Sequence, residues 1–183
     1  MQGIIFSTES VRAILEGRKT MTRRLVRLPI GQRIENMKPR YQPGNILYVK
    51  EAWAEVSDFV DVDPAVGIPD GYIYKADWEE GAEAPEWNSP LFMPEKAARL
   101  FIMITAVRAE RLQEISENGC YAEGIKVHIP VPGDGEPNPR LQYANLWDKL
   151  NPKYPWRNNP WVWAYTFVVE PNPWTTIQQR LAG

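Results

Sequence analysis

The sequence predicts a β-rich α+β fold, a mixed sheet or small barrel with a few short helices beside it. Three observations predict it. Several short apolar or β-branched runs read as strands, only two or three segments repeat at helical spacing, and strands and helices do not alternate as a doubly wound sheet requires. With 183 residues, 44% hydrophobic and 24% charged, the chain has the length and composition of one compact domain.

Taken in order, Ile4–Phe6 is a short buried strand. Ser7 or Thr8 then offers an oxygen to cap a helix to about Glu16, whose apolar face is Val11, Ile14 and Leu15 and whose end suits Gly17. The basic run Arg18-Lys19-Thr20-Met21-Thr22-Arg23-Arg24 has moderate strand propensity. Pro43-Gly44 fits a type II turn into a strand at Ile46–Val49. Residues 56–98 are broken by Asp, Pro and Gly and read as an elaborated insertion, with one short strand at Tyr72–Ala76. Leu100–Arg111 is a long strand entering a short helix at about Ser116–Glu123, which Gly124 ends. Residues 126–139 are a Pro/Gly loop within a second insertion near 126–160. Leu141, Ala144, Leu146, Trp147 and Leu150 space as a helix face, and Trp161–Val169 is a final strand. One domain is therefore expected over 1–170, with a C-terminal tail at 171–183.

Composition excludes several functions. No apolar stretch reaches the ~20 residues that span a bilayer, and the first residues do not form a secretory signal, so a cytoplasmic protein without a membrane partner is expected. One cysteine, Cys120, and one histidine, His128, supply neither a disulfide framework nor a Cys/His zinc site. No metal and no cofactor are expected. The glycine fingerprint of a dinucleotide fold, the Walker loop, HExxH and GxSxG are absent. Charge is uneven: residues 1–50 carry ten Lys/Arg against three acids, and the rest eleven against twenty. Such a split fits a basic face for an anionic partner, nucleic acid first, and equally a basic loop paired with acids of the same fold.

Three groups of residues carry chemistry. Lys19 lies three positions before Thr22, and a threonine hydroxyl becomes a nucleophile when a neighbouring base takes its proton. On an ideal strand those positions face opposite sides, so they meet only across a turn, bulge or helical start; an ordinary basic strand edge explains the run too. Glu123 sits at a helix end where the dipole disfavours an acid, which marks it either for a specific use or as a solvated surface carboxylate. Of eight Trp, Trp147, Trp161 and Trp163 read as core, whereas Trp53, Trp78, Trp87 and Trp156 lie in or beside irregular segments, where one or two could stack on a base.

Together these segments resemble the ASCH-domain family, in the longer form found in bacteriophage and prophage genomes. The resemblance is carried by Ala13-Ile14-Leu15-Glu16-Gly17-Arg18-Lys19-Thr20-Met21-Thr22-Arg23-Arg24 and by Gln42-Pro43-Gly44-Asn45-Ile46-Leu47-Tyr48-Val49-Lys50-Glu51-Ala52-Trp53. Further along it is carried by Leu112-Gln113-Glu114-Ile115-Ser116 leading to Ala122-Glu123-Gly124-Ile125, and by Leu146-Trp147-Asp148 with Asn159-Pro160-Trp161-Val162-Trp163. It implies a PUA-like small β-barrel flanked by helices, and RNA or a modified nucleoside as partner. Small bacterial members similar around Gly17–Thr20 are amidohydrolases that deacetylate N4-acetylcytidine. The resemblance implies Lys19 as base, Thr22 as nucleophile, and Glu123 as the group that orients the lysine or protonates the departing amine. Two departures stand out: Asn45 replaces an Asp common after the turn, and Gly119-Cys120-Tyr121 replaces a more acidic, helix-favouring stretch.

Arg18, Arg23, Arg24 and Arg27 are the expected phosphate contacts, Trp53 an expected stacking residue, and Glu51 a rival carboxylate one strand beyond the turn. Besides the enzyme, two functions fit: a non-catalytic reader of RNA or a modified base, and a phage accessory module that binds another protein through an exposed apolar patch.

Overall fold

A computed structural model describes residues 1–55, 71–79, 81, 84–126 and 138–172. Much of the first insertion, the interior of the 126–139 loop with His128, and nearly all of the tail lie outside the described residues. The chain forms a mixed α+β, strand-rich structure with elements β1 (Gln2–Ile5), α1 (Thr8–Leu15), β2 (Met21–Leu25), β3 (Ile46–Lys50), β4 (Trp53–Glu55), β5 (Tyr72–Tyr74), β6 (Phe101–Arg111), α2 (Glu117–Ala122), α3 (Pro139–Leu150) and β7 (Trp161–Glu170). Hydrogen-bonded strand order is β1-β3-β6-β7-β2, with β4 and β5 in a separate two-stranded sheet. No pairing between the end strands β1 and β2 is present among the described residues. Two compact units emerge, each assembled from separate stretches of sequence: residues 1–15, 46–103 and 169–183 in the first, 16–45 and 104–168 in the second.

In the first unit β1 runs parallel to β3, from Gln2 opposite Leu47 to Ile5 opposite Lys50, and β3 pairs antiparallel with the start of β6. The core gathers Trp53, Tyr72, Met93, Ala97, Ala98 and Phe101, while α1 buries Val11, Ala13 and Ile14. Arg12 fastens α1 by donating to the carbonyl of Ala76 at 2.7 Å.

In the second unit β2 pairs antiparallel with β7, Met21 opposite Thr166 through Leu25 opposite Val162. The core of Leu112, Ile115, Cys120, Tyr143, Trp147 and Val162 lies where α2 and α3 pack. The Gln42–Asn45 turn has the expected form: Gly44 sits at φ 86°, and Asn45 N–H donates to the Gln42 carbonyl at 3.0 Å. Asn45 closes the turn with its own side chain, its Oδ1 accepting from Gln42 N–H at 2.9 Å.

The apolar face of α3 differs from expectation. Pro139, Tyr143, Ala144 and Trp147 are buried, whereas Leu141 and Leu150 are exposed. Positions 139, 143 and 147 recur every fourth residue and form one stripe; Leu141 falls on the opposite side of the helix, and Leu150, although on the stripe's face, is exposed as the last residue of α3.

Candidate active site

The second unit assembles a buried ionic cluster from the basic run, the end of α2 and the middle of α3. Ser116 caps α2 by accepting from Gly119 N–H at 3.1 Å. At the other end Gly124 adopts φ 94°, its N–H donates to Tyr121 O at 2.8 Å, and Ile125 N–H reaches back to Cys120 O at 3.2 Å. That pair of bonds is a Schellman closure, and it fixes Glu123 as the C-cap. The basic run is sewn to the same place: Lys19 and Glu123 form an antiparallel bridge, and Thr20 N–H donates to Ala122 O at 2.8 Å. Backbone pairing therefore dictates that the Lys19 and Glu123 side chains meet, although 104 residues separate them.

Their contact is close and dry. Lys19 Nζ donates to Glu123 Oε2 at 2.6 Å and to the Glu123 carbonyl at 2.9 Å, with both side chains about 95% buried. The second carboxylate oxygen is held separately: Arg23 Nη1 donates to Oε1 at 3.1 Å, and the Tyr143 hydroxyl donates to the same atom at 3.3 Å. Arg23 Nε in turn donates to Glu110 Oε1 at 2.6 Å, and Arg108 reaches Glu110 Oε2 from the solvent side at 2.6 Å.

Electrostatics follow from that inventory. Burial, the largest influence, pulls the Lys19 ammonium below its ordinary range; Glu123 opposes this and the Arg23 and Arg24 charges reinforce it. Lys19, Arg23, Arg24 and the half-exposed Arg108 outnumber the carboxylates of Glu110 and Glu123, so release of the Lys19 proton reduces the excess positive charge of the cluster. Burial and the neighbouring carboxylate push the Tyr143 hydroxyl well above its ordinary value, so it remains a donor. Burial pushes the Cys120 thiol up to about 11, which keeps it protonated and unreactive at neutral pH.

Thr22 is buried on β2 opposite Tyr165 of β7. Strand alternation turns its side chain to the face of β2 opposite Arg23, and its hydroxyl takes no part in the hydrogen bonds around Glu123. Lys19 and Glu123 thus meet directly, while Thr22 makes no hydrogen bond to Glu123 among the described residues.

The expected binding residues divide. Arg23 was expected on phosphate but is sequestered, its side chain 1% exposed and its guanidinium shared between Glu110 and Glu123. Arg24 is half-buried, and desolvation holds it below its usual value while the charge of Glu123 opposes the shift. Arg18 pairs with Glu16 at 2.6 Å and donates to the Gly124 carbonyl, while Arg27 is exposed. Trp53 belongs to the core of the first unit, 8% exposed, and is not a stacking platform on the surface. Trp78 and Trp87 stack edge to face at 5.5 Å, and Trp156 packs edge-on to Tyr143 at 6.2 Å.

Glu51 lies in the first unit and makes its own pair. Arg99 clamps both of its oxygens at 3.0 Å, lies 4.0 Å over the Tyr74 ring and also bonds Asp77. Sequence reasoning missed Glu110, Tyr143 and the inward role of Arg23; only the four-residue spacing of Tyr143 and Trp147 carried a signal.

No family model and no curated protein matches the chain. Among solved structures it is similar to the crystal structure of protein EF3133 from Enterococcus faecalis V583, of the DUF984 family. The TM-score is 0.44 and the identity 13%, over 93% of this chain and 77% of that one. That distant likeness assigns neither residues nor activity.

Proposed function

We propose that the second unit is the active site of an amidohydrolase that removes an acetyl group from an acetylated cytidine, on a nucleoside or in RNA. The observation that carries the reading is the buried Lys19–Glu123 contact, 2.6 Å long, in which burial favours the neutral amine. A neutral lysine in a dry site is a competent general base at ordinary pH. The PUA-like barrel implied by the resemblance belongs to the same reading, supported by the strand-rich mixed order of the sheet.

In the proposed reaction the Thr22 oxygen attacks the amide carbonyl carbon and its proton passes to Lys19 Nζ. The C–N bond then breaks, the exocyclic nitrogen takes the proton from the Lys19 ammonium, and cytidine leaves. Water, deprotonated by Lys19, attacks the acetyl carbonyl of the Thr22 ester; the C–O bond to Thr22 breaks, the threonine oxygen takes its proton back from the Lys19 ammonium, and acetic acid leaves and ionises in solvent. Glu123 keeps Nζ in place throughout and stabilises its charged form between the two transfers. Substrate binding has to bring the Thr22 hydroxyl and Nζ to one carbonyl, which requires movement of the Thr22 or Lys19 side chain.

Chromatography of free cytidine released from N4-acetylcytidine tests this. Wild type is expected to turn over without added metal. Thr22→Val, which keeps the shape and removes the hydroxyl, and Lys19→Arg, which stays protonated, are expected to lose turnover by about a hundredfold or more. Full activity in Thr22→Val removes the nucleophile, and binding without turnover by wild type on both nucleoside and RNA substrates makes the protein a reader.

A further inference from the structure

We propose that Tyr143 is a positioning residue of this site: with Arg23 it anchors Glu123 through Oε1, so that Oε2 is presented to Lys19 Nζ. The inference deepens the amide-hydrolysis reading and rests on it for its kinetic consequence. A carboxylate has two oxygens, and here they are assigned different partners. Oε1 receives Arg23 Nη1 at 3.1 Å and the Tyr143 hydroxyl at 3.3 Å, and Oε2 receives Lys19 at 2.6 Å. Without donors on Oε1 the carboxylate can rotate about its last bond and exchange oxygens at the lysine. With them that rotation breaks two bonds.

Tyr143 is built for the task. It comes from α3, inside the sequence expected to be an insertion, and its ring is locked between Trp147 at 6.5 Å and Trp156 at 6.2 Å. The Arg23 guanidinium lies 5.9 Å from the centre of the same ring, so the tyrosine also holds the second anchor. Tyr143 is 4% exposed, and its only polar atom points at Glu123.

The charged and titratable groups around Glu123 fix the sign of the effect. The bridge before β2 supplies Lys19, β2 supplies Arg23 and Arg24, α2 supplies Cys120, α3 supplies Tyr143, and β6 supplies Glu110 through Arg23. A donor on Oε1 binds more tightly to the carboxylate when Lys19 is neutral than when its ammonium already satisfies Oε2. Tyr143 thereby favours the neutral lysine, the form that accepts a proton.

Two measurements on the whole chain test this. The Lys19 titration is followed by NMR of ¹³Cε-labelled lysine in the ligand-free protein, and the rise of kcat/KM with pH is followed on N4-acetylcytidine. Tyr143→Phe keeps the ring and removes the donor. Both the titration and the acidic limb of the profile are expected to move upward by roughly half to one pH unit. 3-Fluorotyrosine at position 143, a stronger donor, is expected to move them downward, an opposite shift that simple damage to packing does not produce. A Lys19 titration unmoved by either change overturns the positioning role. If the titration moves as stated while wild type releases no cytidine, the positioning role stands and the amidohydrolase reading falls.

Discussion

The first unit buries Glu51 against one cation and the second buries Glu123 against two, and the two arrangements are built on different rules. Glu51 meets a single guanidinium that satisfies both of its oxygens at 3.0 Å, and the Arg99 charge is permanent and spread further to Asp77 and the Tyr74 ring. Glu123 splits its oxygens among a lysine, an arginine and a tyrosine. A bidentate arginine clamp has no proton to exchange near neutral pH, so it holds shape. Burial lowers the Lys19 ammonium from its ordinary value, so its proton is released more readily than that of an exposed lysine and the second arrangement has a proton to exchange.

The largest expected effect that sharpens this contrast is on stability. Glu123→Gln leaves Arg23 and Lys19 buried beside a neutral amide, with Glu110 compensating only one of them, and a loss of about 3–5 kcal/mol is expected in urea unfolding. Glu51→Gln leaves Arg99 partly exposed and still paired with Asp77, so a loss of about 1–3 kcal/mol is expected. Equal losses break the contrast.

The pH dependences are expected to have opposite signs. Lys19 titrates below its ordinary 10.5 when folded, so the unfolded chain binds more protons across that window. Wild-type stability relative to Lys19→Met should therefore rise with pH from the folded value up to 10.5 and fall as pH drops through the folded value. Burial raises the Glu51 carboxyl above 4.5, so the folded chain binds more protons there. Stability relative to Glu51→Gln should be greatest below 4.5 and fall as pH rises through the folded value. Unfolding curves of the two variants over a pH series read both slopes directly.

How much of this was legible beforehand depends on whether the cause was local. The Gln42–Asn45 turn, the long strand β6, and the end of α2 at Gly124 follow from residues that carry their own conformational preference, and they appear where expected. Lys19 and Glu123 stand out singly in the sequence, by spacing to Thr22 and by an acid at a helix end, and only the resemblance joins them; the structure brings them into contact. The role of Arg23 was not legible. A basic run looks alike whether it faces phosphate or carboxylate, and its partners lie 87 and 100 residues away. Trp53 was misplaced because an irregular neighbourhood in sequence says little about burial once Tyr72 and Phe101 pack over it.

Gly119 gives a smaller test of the same cluster. It costs α2 about 1 kcal/mol in propensity relative to alanine. Yet a Cβ there would lie 3.2 Å from Arg23 Nη2 and 3.0 Å from Ile115 Cγ1. Since Glu110 and Glu123 lock Arg23, the contact cannot relax freely. Gly119→Ala is expected to yield no stabilisation and a net loss on the order of 1 kcal/mol by thermal unfolding. A gain equal to the propensity difference would show that Arg23 is free to move.

The contrast between the two carboxylates meets function most directly in a single paired assay. Release of cytidine from N4-acetylcytidine is measured for Glu51→Gln and Glu123→Gln under conditions where both are folded by circular dichroism. Glu51→Gln is expected to keep kcat within a few-fold of wild type, and Glu123→Gln to lose about a hundredfold or more, because an amide cannot hold the lysine between its neutral and charged forms. A fully active Glu123→Gln, or a loss confined to Glu51→Gln, would contradict the assignment of the chemistry to Lys19 and Glu123.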